Sequence, residues 1–314
     1  MARLPTSVTV YEVGPRDGLQ NESRQVPTDE KLALIQALAD AGLSRIEATS
    51  FVSPRWIPQL GDAEAVASAL PARPGLVYSA LVPNPKGLER ALAHRDIGTV
   101  AVFMSSSETH NKKNVNRTIA ESLQGFEEVI PRAREAGREV RAYVSTVWGC
   151  PYEGKVDPKR ALDIARELWR LGANQISLGD TIGIGTPGQT RRICDLFLSE
   201  FDAGAIALHL HDTRGTALAN ALIGLEAGIS TFDSAIGGMG GCPYAPGASG
   251  NLATEDLVFM LQGMDIETGL DMTRLIDAGR LAQRVAGREL PGRFLKAALA
   301  ERRLVEIKSQ RPRI

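Results

Sequence analysis

Eight short runs rich in β-branched and apolar residues recur along the 314-residue chain, at 7–13, 45–52, 76–82, 99–105, 139–147, 174–180, 205–211 and 230–236. Stretches of helical periodicity separate them. In PTDEKLALIQALADAGL, Leu32, Ile35, Leu38 and Ala39 share one face, and Gly42 stands where a glycine closes a helix. Asp157 before Pro158 and Thr186 before Pro187 each put a capping oxygen ahead of a proline, whose missing N–H costs nothing at the first helical position. Alternating strands and helices imply parallel pairing through right-handed crossovers. Eight such units over about 260 residues fit a closed barrel better than an open doubly wound sheet. The expected fold class is therefore α/β: a TIM (β/α)8 barrel over residues 1–263, then a C-terminal helical extension over 264–314 that packs on the barrel or on a partner. The extension carries TRLIDAGRLAQRVAG and RFLKAALAERR as helical segments and no further strand.

Composition narrows the partners. A net charge of -1, with 43% hydrophobic and 23% charged residues, leaves no electrostatic footprint for nucleic acid or an anionic membrane. No run approaches the roughly 18 apolar residues of a membrane span, and MARLPTSVTVYEVG lacks the apolar core of a secretory signal. The cytoplasm is the expected location. Cys150, Cys194 and Cys242 are odd in number, far apart and without CxxC spacing, which argues against both a disulfide framework and a thiolate zinc site.

In a barrel of this kind the chemistry sits at the C-terminal ends of the strands. There the sequence places Arg16 and Asp17 of GPRDGLQNE, Glu47, Asp180 of SLGDT, and His209 and His211 of LHLHDT. The i, i+2 spacing of the histidines aims both imidazoles to one side of a strand, with Leu208 and Leu210 facing the helices. Two imidazoles with Asp17 and Asn251 form a mixed N/O set suited to Mg²⁺, Mn²⁺ or another octahedral divalent ion. A single buried histidine more often serves as a hydrogen-bonding core residue; two flanking one leucine favour a metal. His94, in a polar helix, reads as a solvated residue, and His110 falls in a loop without a clear role. Arg16 beside Asp17 is either a simple ion pair or, at a barrel mouth, a guanidinium fixed to stabilise a developing oxyanion. Glu47 and Asp180 are placed either to take part directly or to orient that arginine and a bound water.

The segment GGMGGCPYAPGASGN (237–251) holds six glycines around Cys242, without the spacing of a nucleotide-binding loop. It reads as a hinged loop that brings Cys242 to a reacting centre, whereas Cys150 and Cys194 fit buried, inert thiols.

These blocks, namely VGPRDGLQNE, IEATSFVSPRWIPQLGD, GCPYEGK, SLGDTIGIGTPG, LHLHDT and GGCPYAPGASGNLATEDLV, resemble in order and approximate spacing those of the 3-hydroxy-3-methylglutaryl-CoA lyase family, over nearly the whole chain. The resemblance implies a metal-dependent, usually dimeric barrel that cleaves a 3-hydroxyacyl-CoA to acetyl-CoA and acetoacetate, as in leucine breakdown. It also implies that Asp17, His209, His211 and Asn251 bind one Mg²⁺ or Mn²⁺ and that Asp17 is the base. Arg16 would stabilise the enolate oxygen, Cys242 would carry a proton, and Glu47 and Asp180 would orient Arg16 and the metal-bound groups. Lys112, Lys113 and Lys155 are then candidate contacts for the CoA phosphates.

Two segments depart from the better-known members. HDTRGTALAN carries Arg214 and Thr216, and SSSETHNKKNVN carries polar residues at Glu108 to Asn111. Both follow barrel strands and are expected to border the acyl pocket, which leaves a related substrate such as citramalyl-CoA open. Two further readings are a Claisen-type synthase of the same superfamily and a catalytically silent binding protein. The cysteine loop and the short extension argue against the first, and the complete ligand set against the second.

Overall fold

The computed structural model describes residues 4–241 and 250–309. Eight parallel strands close in sequence order into a barrel: β1 (Thr9–Glu12), β2 (Arg45–Ser50), β3 (Val77–Leu81), β4 (Ile97–Ser105), β5 (Glu139–Ser145), β6 (Gln175–Asp180), β7 (Ile206–Leu210) and β8 (Thr231–Ser234), with β8 paired back to β1. Around it stand α1 (Thr28–Asp40), α2 (Ala63–Ser68), α3 (Pro85–Leu92), α4 (Glu108–Val115), α5 (Ile119–Glu135), α6 (Pro158–Leu171), α7 (Pro187–Leu198), α8 (Ala217–Glu226) and α9 (Thr254–Gly263). The extension follows as α10 (Met272–Ala286) and α11 (Arg293–Ser309). No described helix is long and apolar enough to cross a membrane.

Local signals set several of the helix ends. Asp157 accepts from the backbone N–H of Lys159 at 3.0 Å and starts α6, which Gly172 closes at φ +115°. Thr118 and Glu121 form a reciprocal capping box at the start of α5. Gly42 follows α1 at φ +99°, where a Cβ would also lie 2.5 Å from the carbonyl oxygen of Gly269. Thr186, by contrast, makes no capping bond to α7; Pro187 alone marks that helix start.

Strand alternation sorts the side chains. On β7 and β8, Leu208 and Phe232 press on Gly224 of α8, where a Cβ would come within 2.6 Å of Leu208 and 3.1 Å of Phe232. A side chain at Gly224 would force Leu208 to shift, and alternation along the strands turns the neighbouring His209 and Asp233 inward. The first and last strands end sooner than their β-rich runs suggest, because Gly14–Gly18 winds into a π-helical turn and Ile236–Gly238 into a 3₁₀ turn.

The extension packs onto the barrel. Its helix α10 lies along α1, α11 contacts α9 and α10, and Leu275, Ala282 and Val285 join the same apolar core as the barrel strands.

Candidate active site

The π-turn after β1 directs the N–H groups of Arg16, Asp17 and Gly18 at one acceptor, the carbonyl of Val13 (3.2, 2.7 and 3.2 Å), and so tips Arg16 and Asp17 into the barrel mouth. Arg16 is buried. Its Nη1 donates to Asp17 Oδ1 at 2.6 Å and its Nε to Glu47 Oε1. Burial works against the charged guanidinium, but Glu47 and Asp17 outweigh it and hold the pKa above the ordinary arginine value. The same balance acts in reverse on Asp17. Burial raises its pKa, yet Arg16 and the two imidazoles hold the carboxyl well below the usual carboxylate range.

His209 and His211 come to the same point from the end of β7, their Nε2 atoms 3.2 Å apart. Asp233 on β8 faces His209 Nδ1 at 3.0 Å; a carboxylate can only accept there, so Nδ1 carries the proton and Nε2 is directed to the centre. Burial depresses the basicity of His209, but Asp233 more than offsets it and raises the pKa, whereas burial and the neighbouring imidazole push His211 down to about 4. One ligand atom from each of Asp17, His209 and His211 lies within 4.8 Å of the others. Asn251 is bridged to His211 through the backbone, and its Nδ2 donates to Asp17 Oδ2 (2.9 Å) and to the Met239 carbonyl (3.1 Å). Both amide N–H groups of Asn251 are thereby committed to protein acceptors. One carboxylate and two imidazoles converging on one point are a donor set that a divalent ion accepts, so the residues present fit such an ion.

A hydrogen-bonded chain through the barrel interior supports these groups. Tyr143 donates to Glu47 Oε2 at 2.7 Å and accepts from Arg141 Nη1 at 3.1 Å; Arg141 Nη2 donates to Asp233 Oδ1 at 2.5 Å, and Ser177 donates to Asp233 Oδ2 at 3.0 Å. Arg141 also lies 3.9 Å from the centre of the Tyr11 ring. Burial and the Glu47 charge push the Tyr143 hydroxyl well above its ordinary pKa, which keeps it a donor. Asp17, Arg16, Glu47, Tyr143, Arg141, Asp233 and His209 thus form one continuous circuit. Sequence reasoning missed Arg141, Tyr143 and Asp233, although charged and phenolic residues at inward positions of EVRAYVS and TFDSAI were the signal.

The site opens into a cavity of about 700 Å³ lined by Arg16, Asp17, Tyr143, His209 and His211, and elsewhere by Trp56, Asn84, His110, Lys113 and Arg117. Of the three lysines singled out, Lys113 reaches this wall with its ammonium 4.2 Å over the Tyr152 ring. Lys112 points to Glu108 at 3.8 Å, and Lys155 is exposed on the surface. His110 is not in a loop but on α4, buried on the cavity wall, and burial pushes its pKa down to about 4. His94 stacks on Phe51 at 5.8 Å and is only partly solvated.

Other expectations meet a different geometry. Asp180 is buried, but its carboxylate accepts the backbone N–H groups of Ile184 (3.0 Å) and Gly185 (2.8 Å), so it braces the loop after β6 where Glu47 alone of the two holds Arg16. Arg214 and Thr216 turn to the same loop instead of the cavity: Arg214 donates to the Ile182 and Gly183 carbonyls and Thr216 to that of Gly185. Cys150 and Cys194 are buried, with Cys150 donating to Ser107 Oγ at 3.0 Å. Cys242 lies outside the described residues, and the structure carries nothing on its position.

Comparison with known proteins matches residues 7–282 to the HMGL-like family model. The mitochondrial hydroxymethylglutaryl-CoA lyase of Bos taurus is 51% identical over 276 residues, covering 88% of this chain and 85% of its own. The crystal structure of the Bacillus subtilis HMG-CoA lyase superposes with a TM-score of 0.92 at 49% identity, covering 94% of this chain and 98% of that one. An HMG-CoA lyase from Acinetobacter baumannii, solved with coenzyme A and 3-methylmalate, superposes with a TM-score of 0.89 at 40% identity, covering 95% and 97%.

Proposed function

The chain belongs to the HMGL-like family, and we propose that it is a divalent-metal-dependent carbon–carbon lyase that cleaves 3-hydroxy-3-methylglutaryl-CoA to acetyl-CoA and acetoacetate. The observation that carries this reading is the convergence of Asp17, His209 and His211 on one point, with the guanidinium of Arg16 hydrogen-bonded to Asp17. Asp17, His209, His211 and the Asn251 carbonyl would hold the ion, Mg²⁺ or Mn²⁺ by the hardness of the donors. When bound, the ion makes a coordinated hydroxyl more acidic.

The residues of this chain divide the remaining work. Asp17, kept ionised by Arg16, accepts the proton of the tertiary hydroxyl as the C–C bond breaks. The bonding electrons pass to the thioester, and Arg16, held in one orientation by Glu47, faces the enolate oxygen. Tyr143 and Asp233 keep Glu47 and His209 in place without touching the reacting atoms in this scheme. Cys242 is assigned the protonation of the acetyl-CoA enolate by family resemblance.

The related structure with coenzyme A supports an acyl-CoA as ligand. Among the three lysines the cavity-lining Lys113 is the best placed for the CoA phosphates. Arg214 and Thr216 serve the loop after β6 and no longer argue for a changed acyl group; His110 of the other departing segment does line the cavity, and it is the likeness to hydroxymethylglutaryl-CoA lyases at about half identity that favours the 3-hydroxy-3-methylglutaryl substrate over citramalyl-CoA. A cytoplasmic location and a homodimer or higher homo-oligomer complete the proposal; light scattering tests the second.

The activity itself is tested by incubating the protein with 3-hydroxy-3-methylglutaryl-CoA and, separately, citramalyl-CoA, with Mg²⁺, with Mn²⁺ or with chelator. Acetoacetate and acetyl-CoA should form from the first substrate only, and chelation should abolish turnover. Metal-independent cleavage, or none with either substrate, contradicts the proposal.

A further inference from the structure

The turn between α10 and α11, with the first residue of α11, packs against two of the chain segments that meet at Asn251: Gly237–Gly238 and the residue after His211. The N–H of Gly292 donates to the Gly237 carbonyl at 2.8 Å, and a Cβ on Gly292 would sit 3.1 Å from the backbone of Gly237. Leu290 and Pro291 cover Gly237 and Gly238, two glycines at φ +63° and +71° whose added Cβ atoms would meet Leu290 at 2.6 Å and Pro291 at 3.2 Å. Arg293 Nη1 donates to Asp212 Oδ2 at 2.9 Å. Asp212 directly follows His211, and its own N–H donates to the Gly250 carbonyl at 3.0 Å, one residue before Asn251. Asp256 of α9 pins this turn by accepting the N–H groups of Arg293 (3.1 Å) and Phe294 (2.6 Å).

We infer that Arg293 is a positioning residue of the metal site: through Asp212 and Gly250 it holds His211 and Asn251 in register, so that the C-terminal extension forms part of the frame of the catalytic centre. This rests on the metal reading above. The alternative is an ornamental surface ion pair, since the Arg293 side chain is 66% exposed. Two features separate Arg293 from that alternative. Asp212 is only 15% exposed, and its carboxylate also accepts the N–H of Ala217 at 3.0 Å, so it is already fixed at the head of α8. A guanidinium bonded to a fixed carboxylate ties the start of α11 to the residue next to His211, one covalent step from a proposed ligand.

The test compares Arg293→Ala and Arg293→Lys with the parent by two readouts. Mn²⁺ titration, with free ion followed by electron paramagnetic resonance, should show binding weakened about ten-fold in Arg293→Ala and partly restored in Arg293→Lys. In the metal-free proteins, hydrogen exchange at the Asp212 and Gly292 amides should quicken in Arg293→Ala while the thermal midpoint stays at the parent value. Equal Mn²⁺ affinity in parent and Arg293→Ala overturns the inference and leaves the metal reading standing, as does an affinity loss that only tracks a lowered midpoint. A parent that binds no Mn²⁺ overturns the metal reading and this assignment with it, whereas the exchange data report on the Arg293 contact in either case.

Discussion

The phenolic hydroxyl of Tyr143 donates to Glu47 Oε2 at 2.7 Å inside the closed barrel, and this bond links the arginine half of the site to the histidine half through the barrel interior, beneath their direct meeting at Asp17. Glu47 in turn holds Arg16, while the Tyr143 oxygen accepts from Arg141 on the other side. Replacing Tyr143 by Phe strands two buried polar groups, at a cost of about 1–3 kcal/mol. Tyr143→Phe should therefore lose stability of that order in urea denaturation. It should also lower kcat more than it changes Mn²⁺ affinity, because Arg16 loosens before the metal ligands do. A variant with unchanged kcat would remove Tyr143 from the support of Arg16.

Arg141 and Asp233 form an ion pair at 2.5 Å with both side chains almost fully buried. Removing either partner leaves a buried charge without compensation, which typically costs about 3–5 kcal/mol. Arg141→Met and Asp233→Asn should each be strongly destabilised, and the double variant should be much less so than the sum of the two. Guanidinium denaturation of all four proteins measures the coupling; additive losses would mean that the pair does not act as a unit.

At the ends of β1 and β8, Glu12 accepts the N–H groups of Gly14 (2.8 Å) and Ile236 (2.9 Å), and Glu255 accepts that of Gly237 at 2.7 Å. Burial pushes Glu12 up to about 7 and Glu255 up to about 8, from an ordinary value of 4.5. Both acids hold a proton in the folded protein that the unfolded chain releases above that value. Their stabilising contribution is complete below pH 4.5 and is lost as pH rises through about 7 to 8. Stability should consequently fall from about pH 4.5 to about pH 8, and Glu255→Gln, which keeps an acceptor for Gly237, should fall less steeply over that range. Parallel pH profiles for parent and variant would show that Glu255 is ionised throughout.

For Cys242 the expected result follows from the proposed proton transfer. Cys242→Ser keeps size and polarity but replaces a thiol of pKa about 8.5 by a far weaker acid. Turnover should drop by about 100-fold or more, in the range for loss of a general acid or base, with Mn²⁺ affinity close to that of the parent. Unchanged turnover would place the protonation on another group.

Much of this protein is written locally in its chain. The alternation of β-rich and helical segments named the barrel, and the i, i+2 spacing named His209 and His211 as a pair, because strand and helix periodicities act over a few residues. The lateral partners were not legible. Nothing near Asp233 in the sequence says that it meets His209 from the next strand, or that Arg141 and Tyr143 bridge it to Glu47 across the barrel. Asp180 shows the same limit from the other side: its strand-end position suggested chemistry, yet the path of the following loop turned its carboxylate onto Ile184 and Gly185. The sequence by itself determined which elements form and which residues reach the barrel mouth. Only the closed tertiary structure decided which of them meet, because barrel closure and a chain reversal between α10 and α11 bring together residues as distant as Asp17 and Asn251, or Asp212 and Arg293.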